Sequence, residues 1–302
     1  MIPTREQELA VLRSVVYASL FDYPLEPAQL ESSLIGIGAN AATIDRWWRG
    51  SDLLQAAIEY RDGLYFPAGR SDLVATRSRR EVVSREQLDR DRRILSLVAH
   101  MPFVRMVALS GSLAHLNAEG SADLDLFVIT APNRVWSVTV ATVVLSKLLG
   151  WRRRLCMNYV VSEHAMSIEP RDLFSANQII HLRPIVGGDV FTRFIAANPF
   201  VKTLYPNFAS PKPASPQARK PSVERVLSLG IAQLAESVAR GLYGWYLRRR
   251  ASTWQSSDQV RLEPECLKLH TSSHRASTLA KFDAAMAEIL AREPVTAVVA
   301  RR

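Results

Sequence analysis

A run with strand composition, Val104 to Leu109, leads into Ser110-Gly111-Ser112, and a second such run opens with Asp123-Leu124-Asp125. Both runs are rich in β-branched and apolar residues, as buried strands are. Alternate side chains of a strand share a face, so Asp123 and Asp125 are predicted to project together, with Leu124, Leu126 and Val128 on the opposite side. Neighbouring carboxylates repel, and a divalent cation between them is a natural compensation. Mg²⁺ prefers hard oxygen ligands and commonly takes one or two carboxylates plus substrate phosphates. Gly111 lets the backbone approach a phosphate closely, and Ser112 at a predicted helix start adds a hydroxyl and free N–H groups. A phosphate cradle beside metal carboxylates is the chemistry of a nucleotide site.

Gly111-Ser112, a spacer of about ten residues, and then Asp123-x-Asp125 resemble the signature of the nucleotidyltransferase superfamily that includes polymerase beta, kanamycin nucleotidyltransferase and the CCA-adding enzymes. The resemblance covers residues 95–165. It implies that Asp123 and Asp125 are catalytic metal ligands, that Gly111 and Ser112 bind the nucleotide, and that Mg²⁺ or Mn²⁺ is the cofactor. A nucleoside monophosphate would then pass in line from a nucleoside triphosphate to an acceptor, with pyrophosphate leaving. The same resemblance implies a third carboxylate on a later strand. The matching strand is expected over Arg154 to Ser162, with Cys156, Asn158, Val160 and Ser162 on one face. No Asp or Glu lies there, and Asn158 is the polar residue best placed. An amide oxygen can ligate Mg²⁺ but carries no charge and cannot act as a base. Three readings stay open: a one-metal enzyme, a third ligand from Glu163 or Glu119, or a site that binds nucleotide without turning it over. Asn158 as a buried amide bonded to neighbouring backbone has equal standing.

Other elements must hold these residues in place. Arg5 to Leu20 has helical spacing, with Leu9, Leu12, Val15, Val16 and Leu20 on one face. Further helices are expected over 26–34 and 41–50, and a hairpin with an Asp62-Gly63 turn between 56–60 and 64–67. Three helices and a hairpin are the parts of a winged helix, whose third helix can enter a major groove. Here that helix offers two arginines and the bulky Trp47-Trp48, better suited to packing than to reading base edges. Arg77 to Arg93 mixes arginines with Glu81, Glu86, Asp89 and Asp91 and reads as a solvated helix face. Val135 to Trp151 reads as a helix buried against the sheet. Helices are expected again over 170–183 and 189–197, then an exposed Pro-rich linker near 208–222, a long amphipathic helix from Val223 to about Arg250, and a polar loop with a helix near 277–292. The predicted class is α+β: a winged-helix-like module (1–85), a nucleotidyltransferase core with a short mixed sheet (86–168), and a helical C-terminal region (169–302).

Composition fits this reading. The apolar fraction is 48%, ample for a core. Cys156 and Cys266 are the only cysteines and are far apart, which argues against a disulfide framework, and no Cys/His cluster has zinc spacing. The polar N-terminus has no secretory pattern, and no apolar run is a membrane span, so a cytoplasmic enzyme without a membrane partner is expected. The net charge of +9 is discounted as a nucleic-acid signal because most of the excess arginine is mixed with acids. Two clusters are purer. Arg152-Arg153-Arg154 reads as a solvated turn more readily than as a phosphate contact, and Arg248-Arg249-Arg250 reads as cations suited to a helix C-terminus. His270 and His274 read as surface residues. The function expected is metal-dependent nucleotidyl transfer to an acceptor that is RNA, a protein or a small molecule. The alternatives are an inactive nucleotide-binding regulator of the same fold and a winged-helix DNA-binding regulator.

Overall fold

A six-stranded sheet, its strands lying side by side in the order 183–186, 104–109, 124–130, 155–162, 266–269 and 260–263, sets the centre of the molecule. The computed structural model describes residues 2–120, 122–210, 224, 231–269 and 273–291. The fold is α+β. It begins with helices α1 (Arg5–Ser19), α2 (Pro27–Ser32), α3 (Ala41–Arg49) and α4 (Asp52–Ala57), then the hairpin β1 (Ile58–Arg61) and β2 (Leu64–Pro67). The Asp62-Gly63 turn takes positive φ at both residues, as a tight hairpin turn requires. Trp47 is buried in α3, while Trp48 donates its indole N–H to the Ile58 carbonyl at 3.0 Å and packs on Tyr60 and Tyr65.

One unbroken helix, α5 (Asp72–Ala99), runs across residue 85 and leads to β3 (Val104–Leu109). The short α6 (Gly111–Ala114), β4 (Leu124–Thr130), α7 (Val135–Leu148) and β5 (Leu155–Ser162) follow. β3 and β4 are antiparallel, whereas β4 and β5 are parallel, with α7 as the crossover. After α8 (Leu173–Ile180) the chain returns as β6 (Arg183–Val186), then continues through α9 (Gly188–Ala196) and α10 (Phe200–Leu204). The last described elements are α11 (Ile231–Arg249), β7 (Val260–Glu263), β8 (Cys266–Leu269) and α12 (Arg275–Ala291).

The C-terminal region therefore corrects the helical expectation. Among the described residues, β6, β7 and β8 all come from it and supply half of the six-stranded sheet. These strands are only four residues long, too short for a clear period-two signal. Most of the predicted linker, 211–222, lies outside the described residues, as do His270 and, of the long helix expected from Val223, residues 223 and 225–230.

Alternation along β4 divides the two cores. Leu124, Leu126 and Val128 join Ile94, Val98, Trp136 and Leu267 on the side of α5, α7 and α11. Phe127 and Ile129 join Phe191, Phe194 and the N-terminal Val11, Leu12 and Tyr17 on the other side. α11 is fixed on α7 by Glu236, whose buried carboxylate accepts from the Trp136 and Ser137 N–H groups at 2.9 and 2.7 Å. At its C-terminus, Arg249 lies over Trp245 and Arg250 over Tyr246. No helix among the described residues is long and apolar enough to cross a membrane.

Candidate functional site

β3 ends at Leu109, and the Ser110 N–H is tied to the Asp125 carbonyl at 2.9 Å, so the Gly-Ser turn sits directly beside β4. Gly111 has φ +65°, and a Cβ added there would lie 2.5 Å from a carboxylate oxygen of Asp125. Only glycine allows both this backbone and this approach. Gly111 thus sets the floor against which Asp125 rests.

The predicted pair divides between two environments. β4 begins at Leu124, which leaves Asp123 exposed at its mouth while Asp125 sits within the strand. The two still feel one another. Burial, and then the charge of Asp123, push the Asp125 carboxyl up to about 6. A partly buried carboxylate facing a second negative charge is an electrostatic cost that a cation would relieve.

Asn158 is next to this site but not in the predicted way. Its amide N–H donates to Asp125 Oδ1 at 2.7 Å, and its oxygen accepts the Cys156 thiol at 2.8 Å. The amide therefore orients the carboxylate and directs a hydrogen, not an oxygen, toward it. The predicted face of β5 is also corrected. The register slips between Asp125↔Cys156 and Phe127↔Tyr159, which places one extra residue in β5. Beyond it Val160 joins the Leu126 side and Val161 the Phe127 side, so Cys156 and Asn158 no longer share a face with Val160.

Glu163 is not a third ligand. It pairs with Arg105 and Arg193, and its N–H bonds Thr130 at the far end of β4, five strand residues or roughly 17 Å from Asp125. Glu119 is engaged by Arg80. Among the described residues no three His, Cys, Asp or Glu side chains gather as a metal group. Asp123 and Asp125 are thus the acidic side chains at this position, and no three-carboxylate site forms among the described residues.

A cavity of about 140 Å³ opens between Gly111, Asp125 and Asn158 on one side and Lys268 and Arg275 on the other. Lys268 is buried on β8, bonds Gln259 Oε1 at 3.1 Å and lies over the Tyr159 ring. Burial, followed by the nearby Arg261, lowers its ammonium below the usual lysine range. Arg275 is held by Asp172. Sequence reasoning missed both cations. Lys268 stands inside an alternating Cys-Leu-Lys-Leu run beside a turn, a signal that identifies a strand but not what its polar residue faces. Ser112 is placed away from this cavity and lines a larger one, while Gly111 borders both.

The loop between α6 and β4 is clamped by α5. Ser84 Oγ accepts the Ala118 N–H at 3.0 Å, the Gln87 amide pairs with both backbone groups of Ala122, and Arg80 reaches Asn117 and Glu119. Further along, buried Asp91 pairs with Arg154. This corrects two expectations: one face of α5 is buried, and Arg154 is an anchor rather than part of a solvated turn. Arg77, Arg80, Ser84, Gln87 and Asp91 follow the three-four spacing of a core stripe, written in polar residues. Glu86 and Asp89 are exposed as predicted. No family model matches this chain, and comparisons with curated proteins and with solved structures give no match either.

Proposed function

We propose that the protein is a metal-dependent nucleotidyltransferase that binds the phosphates of a nucleoside triphosphate between Asp125 and Lys268. The observation that carries this reading is the small cavity itself, lined by the Gly111 turn, the Asp125 carboxylate, the buried Lys268 and the half-buried Arg275. Opposed charges of this kind suit a ligand that brings anionic oxygens together with a cation. Asp123 and Asp125 would hold Mg²⁺ or Mn²⁺. When bound, such an ion neutralises phosphate charge and acidifies an attacking hydroxyl. Gly111 admits the phosphate, Lys268 offsets its charge without a metal, and Asn158 keeps the Asp125 carboxylate turned toward the cavity.

The second reading is nucleotide binding without turnover. It is favoured by Asn158, which stands where a further carboxylate is expected and spends its amide on Asp125. A DNA-binding role has less support, because Trp47 and Trp48 of α3 are committed to packing. The test is calorimetric titration of ATP, GTP, CTP and UTP with Mg²⁺ or Mn²⁺, followed by assay of pyrophosphate release. Asp125→Asn and Lys268→Met should each weaken binding at least tenfold, about 1.4 kcal/mol. Unchanged affinity in both would place the nucleotide elsewhere.

A further inference from the structure

Most of the large apolar side chains left exposed among the described residues lie on two neighbouring helices, α7 and α11. α7 turns Val135, Val138, Thr139 and Thr142 toward the sheet, so the expectation of a buried helix holds for that face alone. Its outward face is apolar as well. Ala141, Val144 and Leu148 are exposed there, with Val140 and Leu145 half-buried beside them. A helix apolar all round belongs in a protein core or against lipid. α11 repeats the pattern. Ala232, Glu236 and Ala239 face inward, while Ile231, Leu234, Val238, Leu242 and Trp245 recur at intervals of three and four along an outer stripe. Leu148 is 78% exposed, Ile231 70%, Leu242 69% and Trp245 54%, so these side chains are open to a partner. Ala235 lines the groove against α7 and neighbours Ile231 and Val238 on its own helix, which joins groove and stripe into one patch. A lone surface leucine needs no explanation, but a continuous patch over two packed helices does.

The charge on this patch has one sign. Residues 135–162 and 237–257 contain no aspartate or glutamate. Glu236, the only acid in α11, is buried against the Trp136 and Ser137 N–H groups. Cations gather at one end instead. Arg248 and Arg249 carry the stripe one turn beyond Trp245, and the Arg249 guanidinium lies 4.2 Å from the centre of the Trp245 ring. Arg152 and Arg250 line one cavity, so the end of α7 and the end of α11 share this corner, where Lys147 and Arg153 are also exposed. The phosphate cavity beside Asp125 uses none of these cations. A second copy of the chain laid on the patch would match its apolar stripe but bring no acid to its arginines. A bilayer with anionic headgroups meets both demands, since acyl chains take the stripe and lipid phosphates take the guanidinium groups.

We infer that α7 and α11 form a docking face that seats the protein on the surface of an anionic phospholipid bilayer. Leu148, Leu242 and Trp245 enter the boundary between headgroups and acyl chains, and Arg153, Arg248 and Arg249 rest on the phosphates. Such a seat needs no spanning helix, because an amphipathic helix lies flat in the interface. Tryptophan at the junction of apolar and cationic residues suits the headgroup level. Strand alternation places α7 and α11 on the Leu126 side of the sheet and Asp125 on the other, so docking leaves the phosphate cavity uncovered. The inference stands apart from the nucleotidyltransferase reading, since no residue of the patch belongs to that site.

The test sediments the full chain with vesicles of phosphatidylcholine alone or of phosphatidylcholine and phosphatidylglycerol in equal parts, across a salt series. The mixed vesicles should bind at least about tenfold more tightly, with affinity falling as salt rises. Tryptophan emission should shift to the blue on binding, and less so in Trp245→Phe. The double variant Leu234→Glu, Leu242→Glu should bind the mixed vesicles at least about tenfold more weakly at an unchanged melting temperature, because both side chains are exposed in the free protein. Arg248→Gln with Arg249→Gln should also lose about tenfold there. Val82→Glu, at an exposed apolar position of α5, should bind as the wild type does. Equal binding of both vesicle types, or full binding by the leucine double variant, overturns the proposal. So does a dimer, seen by light scattering, that the leucine variant dissociates while vesicles go unbound, since the occupant is then a second copy. A melting temperature lowered by several degrees in that variant overturns it too, because the stripe would then be covered by the chain itself.

Discussion

Asp125 joins electrostatics to geometry at a single residue. Its carboxyl lies at about 6 in the folded protein against an ordinary 3.8, because burial and Asp123 both oppose ionisation. The folded state therefore holds the proton more tightly than the unfolded chain. Metal-free stability should fall as pH rises from about 4 to 6 and stay lower above that, by at most about 2–3 kcal/mol at 1.36 kcal/mol per unit. Asp125→Asn should remove this slope, raising the melting temperature at pH 8 in EDTA while weakening Mg²⁺-nucleotide binding at least tenfold, about 1.4 kcal/mol. A lower melting temperature at pH 8 would sink the electrostatic account. Gly111 is the other half of the arrangement. Gly111→Ala meets both a left-handed backbone and the Asp125 carboxylate, so it should cost about 1–3 kcal/mol. In an Asp125→Ser background the closest steric contact, with the carboxylate oxygen, is removed, and urea unfolding should show the two costs to be less than additive. Asn158→Asp would set a carboxylate where an amide now donates to Asp125 at 2.7 Å. It should lower the melting temperature without metal and gain more from Mn²⁺ than wild type does.

Between elements, the α5 clamp links a helix that does not itself line the small cavity to the loop that delivers Asp123 and Asp125. Gln87→Leu leaves the half-buried N–H and C=O of Ala122 without their side-chain partner and should cost about 1–2 kcal/mol. Amide exchange at Ala118 and Ala122 should quicken in that variant before exchange in β4 does, because the loop opens first. Gln87→Glu keeps the acceptor for the Ala122 N–H and should lose less. The contrast shows what was legible in the sequence. Leu124, Leu126 and Val128 point away from Asp125 because strand alternation is fixed by the backbone, and that much follows from residue order. The extra residue in β5 does not, since a bulge shifts every later side chain without a compositional mark, and it moved Val160 off the Asn158 face. The polar stripe of α5 was hidden for another reason. Its spacing is that of a core face, yet its residue types are those of a surface, and only the partner loop decides between them. The placement of Gly111 beside Asp125 was readable because strand, turn and strand follow one another closely in the chain. Lys268 was not, because its relevance comes from β8 pairing with β5, a contact more than a hundred residues away in sequence.

At the scale of the whole molecule, the N-terminal helices and the sheet bury one continuous core. Tyr17 and Trp47 belong to the same cluster as Phe127, Val161 and Phe194. Unfolding should accordingly be a single cooperative transition, and the seam carrying His115 and His181 gives it a pH signature. His181 caps the C-terminal end of α8 and donates to a backbone carbonyl, and both features favour the imidazolium. Burial outweighs them and brings the ring down to about 4, with His115 lowered by burial and by His181 itself. The sign follows from linkage. With folded values below the ordinary 6.5, the unfolded chain takes up protons first on acidification. The stability is thus fully present above about 6.5 and is lost progressively as pH falls toward 4. Asp125 has the opposite slope over an overlapping range, so the measurement belongs in the Asp125→Asn background. There the melting temperature should drop between pH 7 and pH 4.5, and N-terminal and sheet amides should lose exchange protection together. His181→Asn keeps a donor near the Nδ1 position but does not titrate, and it should flatten part of the decline. An unaltered pH profile in that variant would mean the seam does not govern acid stability, and loss of protection in the N-terminal helices alone would mean the two halves unfold separately.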